Sequence, residues 1–146
     1  MIKLPTRSIK ARKKNKLLKE RSVKENLLKL ENTVRNTFDD GRIVIHRSSK
    51  SKFTSKSSKS GRRSTYIGVS RNGDVWQSLI MIDGKKTYIG SYLSEEEAAM
   101  SYDFYSIILK SFSAKTNFDY SIENIKRMLE DYHQNGEEFA PINLLN

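Results

Sequence analysis

The sequence predicts an α+β fold: a three-stranded antiparallel β-sheet packed on one α-helix, plus a C-terminal helix and a basic, largely disordered N-terminal arm with a marginal helix. Three observations predict it. The turn-forming pairs Asn72-Gly73 and Asp83-Gly84 separate three runs rich in β-branched and aromatic residues. The sequence Ser94-Glu95-Glu96-Glu97 opens an apolar stripe at helical spacing. The charge is also segregated, because residues 1–63 hold 20 Lys/Arg against 5 Asp/Glu, while residues 64–146 hold 7 against 12.

The arm, residues 1–36, begins with the cluster Lys10-Ala11-Arg12-Lys13-Lys14-Asn15-Lys16. Val23, Leu27, Leu30 and Val34 then recur at steps of four, three and four, a single apolar stripe too short for a stable coiled coil. A marginal helix that orders only on a partner is the expectation. Residues 37–63 read as a linker. Within it Arg42-Ile43-Val44-Ile45-His46 can form a stray strand, and the Ser/Lys tract from Ser48 to Gly61 is too polar and too charged to build a core.

From Tyr66 the texture changes. Tyr66 to Ser70 reads as a first strand, Arg71-Asn72-Gly73-Asp74 as a turn, and Val75 to Ile82 as a second strand. Asp83-Gly84 then turns the chain into a third strand, Lys86 to Tyr92. Asn-Gly and Asp-Gly suit tight hairpins because type I′ turns need positive φ at both central residues. Ser94 and Glu97 form a capping box, and three glutamates suit the positive end of the helix dipole. Ala98, Tyr102, Tyr105, Leu109 and Phe112 give this helix one apolar face to cover the sheet. Ile122, Ile125, Met128, Leu129 and Tyr132 mark a second helix, which Asn135-Gly136 stops. The apolar residues after Glu137 show no period.

Composition excludes several classes. No stretch of the 146 residues approaches the ~18 consecutive apolar residues a membrane-spanning helix requires. With no cysteine there is no disulfide, thiolate nucleophile or Cys-ligated zinc, and His46 and His133 lie in unrelated contexts. Glu95, Glu96 and Glu97 read as cap and solvated-face residues, and Asp103 as a structural residue that holds the helix against the sheet. No catalytic residue, metal or cofactor is implied. A net charge of +10, all of it from the first half, points to a polyanionic partner.

The run Tyr66-Ile67-Gly68-Val69, then Trp76, Tyr88-Ile89-Gly90, Glu96-Glu97-Ala98-Ala99-Met100-Ser101-Tyr102-Asp103 and Ala114-Lys115-Thr116-Asn117-Phe118 resembles the plant APETALA-two/ethylene-response-factor DNA-binding domain in order and spacing. The resemblance covers about residues 64–118. It implies a sheet that lies in the DNA major groove and reads base edges. Lys86 and Tyr88 fall where that family has Arg and Trp, Gln77 falls on the groove side, and Arg71 and Asn72 fall in a first turn one residue shorter than usual. Lys85, next to Lys86, belongs to the second turn and is expected to touch phosphate. Ile67, Ser70, Leu79 and Met81 stand where the plant proteins carry Arg, Arg, Glu and Arg.

Two functional readings follow. In the first, the chain is a non-enzymatic DNA-binding protein, a sequence-specific transcription regulator. Its sheet reads double-stranded DNA, and its arm supplies the phosphate contacts that a 64–118 segment with five basic and six acidic residues lacks. In the second, it is a non-catalytic subunit of a nucleoprotein or protein assembly, and Ile67, Leu79, Met81 or the C-terminal helix contact other subunits. This domain type also occurs appended to HNH homing endonucleases, but the chain has no such His-Asn-His constellation. Lys10, Arg12, Lys13, Lys14 and Lys16 read as a nuclear localisation signal. The absence of Asp and Glu from residues 1–19 also suits an organellar leader, but clumped charges favour the nucleus.

Overall fold

The computed structural model describes residues 21–48, 64–141 and 144. The elements, in chain order, are α1 (Arg21–Arg35), β1 (Ile43–Ile45), β2 (Val69–Asn72), β3 (Val75–Ile82), β4 (Lys85–Tyr92), α2 (Glu95–Lys110), a 3₁₀ turn (Ser111–Ser113), β5 (Tyr120–Ser121) and α3 (Ile122–Gln134). Strands β2-β3-β4 form the expected antiparallel meander. The cluster Lys10–Lys16 and the Ser/Lys tract beyond Ser48 lie outside the described residues.

Both hairpins close on two residues. Asp83 and Gly84 have φ of 51° and 80°, the pair of positive values a type I′ turn needs, and the register closes Ile82 on Lys85. The first turn is Gly73-Asp74, with Asn72 paired to Val75, and only Gly73 has positive φ. That is the type II′ preference for glycine at the first central position. Arg71 and Asn72 therefore belong to strand β2 rather than to the turn expected from sequence.

Helix α2 starts as its sequence dictates: the Ser94 hydroxyl accepts from the Glu97 backbone N–H at 3.2 Å. It is buried on more than one face. Ala98 and Ala99 let its first turns approach Val69 and Tyr92 of the sheet, while Phe104, Ile107 and Ile108 point into a second, larger apolar cluster. Helices α1 and α3 form that further layer. Val23, Leu30 and Val34 of α1 and Ile122, Ile125, Met128 and Tyr132 of α3 are buried there. The helix expected to order only on a partner finds that partner within its own chain.

Residues 37–48 likewise join the fold rather than link it. Strand β1 pairs antiparallel with β5, and beyond it Arg47 N–H donates to Asp119 Oδ1 (2.7 Å) and Ser48 N–H to the Thr116 carbonyl (2.8 Å). The Ser22 hydroxyl donates to Asp83 Oδ2 at 3.1 Å, tying the start of α1 to the second hairpin turn. After α3, Phe139 stacks on Phe104 with centroids 4.4 Å apart, which gives the aperiodic tail a fixed place.

Candidate nucleic-acid interface

Alternation along β3 decides which side chains face outward. Ser78, Ile80 and Ile82 are buried toward α2, so Gln77, Leu79 and Met81 project from the opposite face. Cross-strand pairing then sets their neighbours. Met81 lies opposite Lys86, Leu79 opposite Tyr88, Gln77 opposite Ser91 and Ser70, and Val75 opposite Asn72. The Tyr88 and Ser91 hydroxyls are 2.6 Å apart.

A bulge in β4 makes this arrangement possible. Register shifts between Ser78, paired with Gly90, and Leu79, paired with Tyr88, so Ile89 is an extra residue. Without the bulge, strict alternation would turn Tyr92 outward beside Lys86 and Tyr88. With it, Tyr92 is buried against Ala98 and Ala99, and Lys86 and Tyr88 stay on the outer face.

Four of the six residues singled out from sequence therefore share one surface: Asn72, Gln77, Lys86 and Tyr88. Two do not. Arg71 pairs with Trp76 on the helix side, its guanidinium carbon 5.5 Å from the Trp76 ring centroid and its Nε donating to the Gly73 carbonyl at 3.1 Å. Lys85 pairs with Ile82, at the turn end of the helix-side face, and is exposed. The outer face thus carries one cation and no carboxylate. It is a polar surface with an apolar centre, and Met81 is 57% exposed there.

Sequence reasoning gave Asp103 a structural role, and it missed how much of the surface depends on it. The buried Asp103 carboxylate accepts from Asn117 N–H (2.7 Å), Asn117 Nδ2 (3.1 Å), Phe118 N–H (3.1 Å) and the Tyr120 hydroxyl (2.7 Å). Burial pushes its pKa up to about 7, against the pull of those donors. Asn117, held in this way, grips the backbone of Ile67. Its Oδ1 accepts from Ile67 N–H (2.6 Å) and its Nδ2 donates to the Ile67 carbonyl (3.1 Å). One amide side chain thereby substitutes for a neighbouring strand at the start of the sheet. The signal was available in the pairing of a mid-helix Asp with an Asn before an aromatic residue, but only spatial contact discloses it.

Gly68 fixes the same edge. Its φ is +78°, and a Cβ there would stand 2.2 Å from Tyr102 Cδ2 and 2.8 Å from the Leu79 carbonyl oxygen. Only glycine lets the incoming chain lie against α2 while its carbonyl accepts from Leu79 N–H at 2.9 Å.

No protein-family model matches the chain. Over 71 residues it is 38% identical to the AP2-like ethylene-responsive transcription factor PLT2 of Arabidopsis thaliana. The match spans 46% of this chain and 12% of that protein. An APETALA-two-type domain is the kind of unit this similarity suggests.

Proposed function

We propose that this protein binds double-stranded DNA as a non-enzymatic regulator of transcription in the nucleus, its central segment being a divergent APETALA-two/ethylene-response-factor-type domain. The observation that carries the reading is the similarity to a transcription factor, joined to an outer sheet face on which Asn72, Gln77, Lys86 and Tyr88 stand together. A B-form major groove is about 12 Å wide and admits a two-stranded ribbon. The β3–β4 hairpin is such a ribbon. Gln77 and Asn72 suit adenine edges, Lys86 suits guanine, and Leu79 and Met81 suit thymine methyls. Lys85 and the arm supply phosphate contacts, and Lys10, Arg12, Lys13, Lys14 and Lys16 serve nuclear import. Arg71, committed to Trp76, is not among the readers.

The exposed, apolar Met81 favours the second reading, in which the same face contacts a protein subunit. In vitro site selection on the full chain, followed by competitive binding, separates the two. Lys86→Ala should cost about 1–3 kcal/mol on the selected duplex and relax preference at one or two base pairs. Lys85→Ala should weaken every duplex about equally. Failure to select any sequence, or equal losses for both variants on selected and scrambled duplexes, overturns the DNA reading.

A further inference from the structure

Strand β2 is half as long as β3, and the difference leaves an edge. The β2–β3 ladder runs from Asn72–Val75 to Val69–Ser78 and ends with Leu79 N–H on the Gly68 carbonyl. From Ile80 to Ile82, β3 is paired with β4 on one side, and no strand among the described residues pairs with its other side. Along that free edge, between the start of β2 and the C-terminal end of α2, runs a cleft of about 750 Å³. Ile67, Leu79, Met81 and Leu109 contribute apolar wall, and among the described residues the only charged ones lining it are Lys86, Lys110 and Lys115. All three lysines are exposed.

We propose that this cleft docks an acidic, extended segment of a partner protein, which adds as a strand to the free edge of β3. Main-chain hydrogen bonds to the unpaired edge supply the binding geometry, as in other strand additions, and alternate side chains of the added strand enter the cleft. Apolar residues of the segment fill the gap between Leu79 and Leu109, while its carboxylates meet the lysine rim. The rim sets the sign of the partner. The chain's own segment 49–63 has six Lys/Arg and no Asp or Glu, so it carries the wrong charge for the site. Nucleic acid has the right charge but offers no apolar strand to fill the walls. Lys110 and Lys115 do not belong to the outer face of the sheet, so they test docking separately from DNA reading.

The experiment uses the full chain and a short synthetic peptide alternating Leu and Glu, with a Leu/Lys peptide of equal length as control. The Leu/Glu peptide should bind, perturb the backbone amides of Ile80, Met81 and Ile82 in NMR spectra, and slow the hydrogen exchange of Met81. Combined Lys110→Glu and Lys115→Glu should weaken it about tenfold or more, several exposed charges acting together. N-methylating alternate peptide amides should abolish binding in one register. Lys115→Glu alone, outside the helix, repeats the test if the double variant melts early. Equal binding of both peptides, no response to charge reversal, or amide shifts away from β3 overturns the proposal. So does a loss of duplex DNA affinity, with peptide binding unchanged, on reversing Lys110 and Lys115, because the rim would then belong to the DNA footprint.

Discussion

The two faces of the β2–β3–β4 sheet are built from alternate residues of the same strands, yet they hold their side chains by different means. On the helix side, Val69, Ile80, Ile82, Ile89 and Tyr92 are buried, and the chain's path is fixed twice more, by the Asn117 grip on Ile67 and by the close approach of Gly68 to Tyr102. On the outer side, Gln77, Leu79, Met81, Lys86 and Tyr88 are placed by backbone register, and the Tyr88 and Ser91 hydroxyls are hydrogen-bonded to each other. One face specifies the fold and the other is free to change its chemistry. That separation lets Ser70, Leu79 and Met81 vary without disturbing the Asp103–Asn117 contacts that hold the start of the sheet.

The strongest way to break the contrast is to remove Asp103. Asp103→Ala leaves four buried or half-buried donors without their acceptor and should cost about 3–5 kcal/mol in denaturant unfolding. Its carboxyl also gives stability a pH dependence. Held near 7 in the folded chain, against an ordinary value of 3.8, it binds its proton more tightly when folded. Its contribution is fully present below about pH 4 and is lost as pH rises toward about 7. Asp103→Ala should remove that segment of the stability–pH curve, and a slope of unchanged size would show that another group produces it.

Next in size is Gly68→Ala, which forces an L side chain into a left-handed conformation against the Tyr102 ring. It should cost about 2–4 kcal/mol. A melting temperature equal to that of the parent would mean that the sheet edge does not lie on α2 as described. Smallest in stability, and sharpest for the comparison, are Gln77→Ala and Met81→Ala. Each should stay within about 0.5 kcal/mol of the parent in stability. Gln77→Ala should nonetheless change the selected DNA sequence, and a loss of fold from either variant would show that the outer face is not independent of the inner one.

Much of this was legible because it is local. The Asp83-Gly84 turn, the Ser94 cap and the stripes of α2 and α3 are written in neighbouring residues, and the alternation of Ser78, Ile80 and Ile82 assigned the outer face correctly. What failed was non-local. Nothing near Ile89 announces a bulge, which exists only against β3. Reading the first turn one residue early left Arg71 among the readers, whereas β2 register turns it toward Trp76. Phe104, Ile107 and Ile108 lie off the apolar stripe of their helix, and in retrospect they required a second covering layer, which α1 and α3 provide.

The pairing of β1 with β5 has a consequence for synthesis on the ribosome. Ile45 finds Tyr120 only after the whole sheet and α2 have been translated, an interval of about 4–15 s at about 5–20 residues per second. The hairpins β2–β3 and β3–β4, whose partners follow within a few residues, have that interval in which to close. The apolar stripe of Val23, Leu30 and Val34 is likewise without its main cover until α2, the helix it chiefly packs against, has been made.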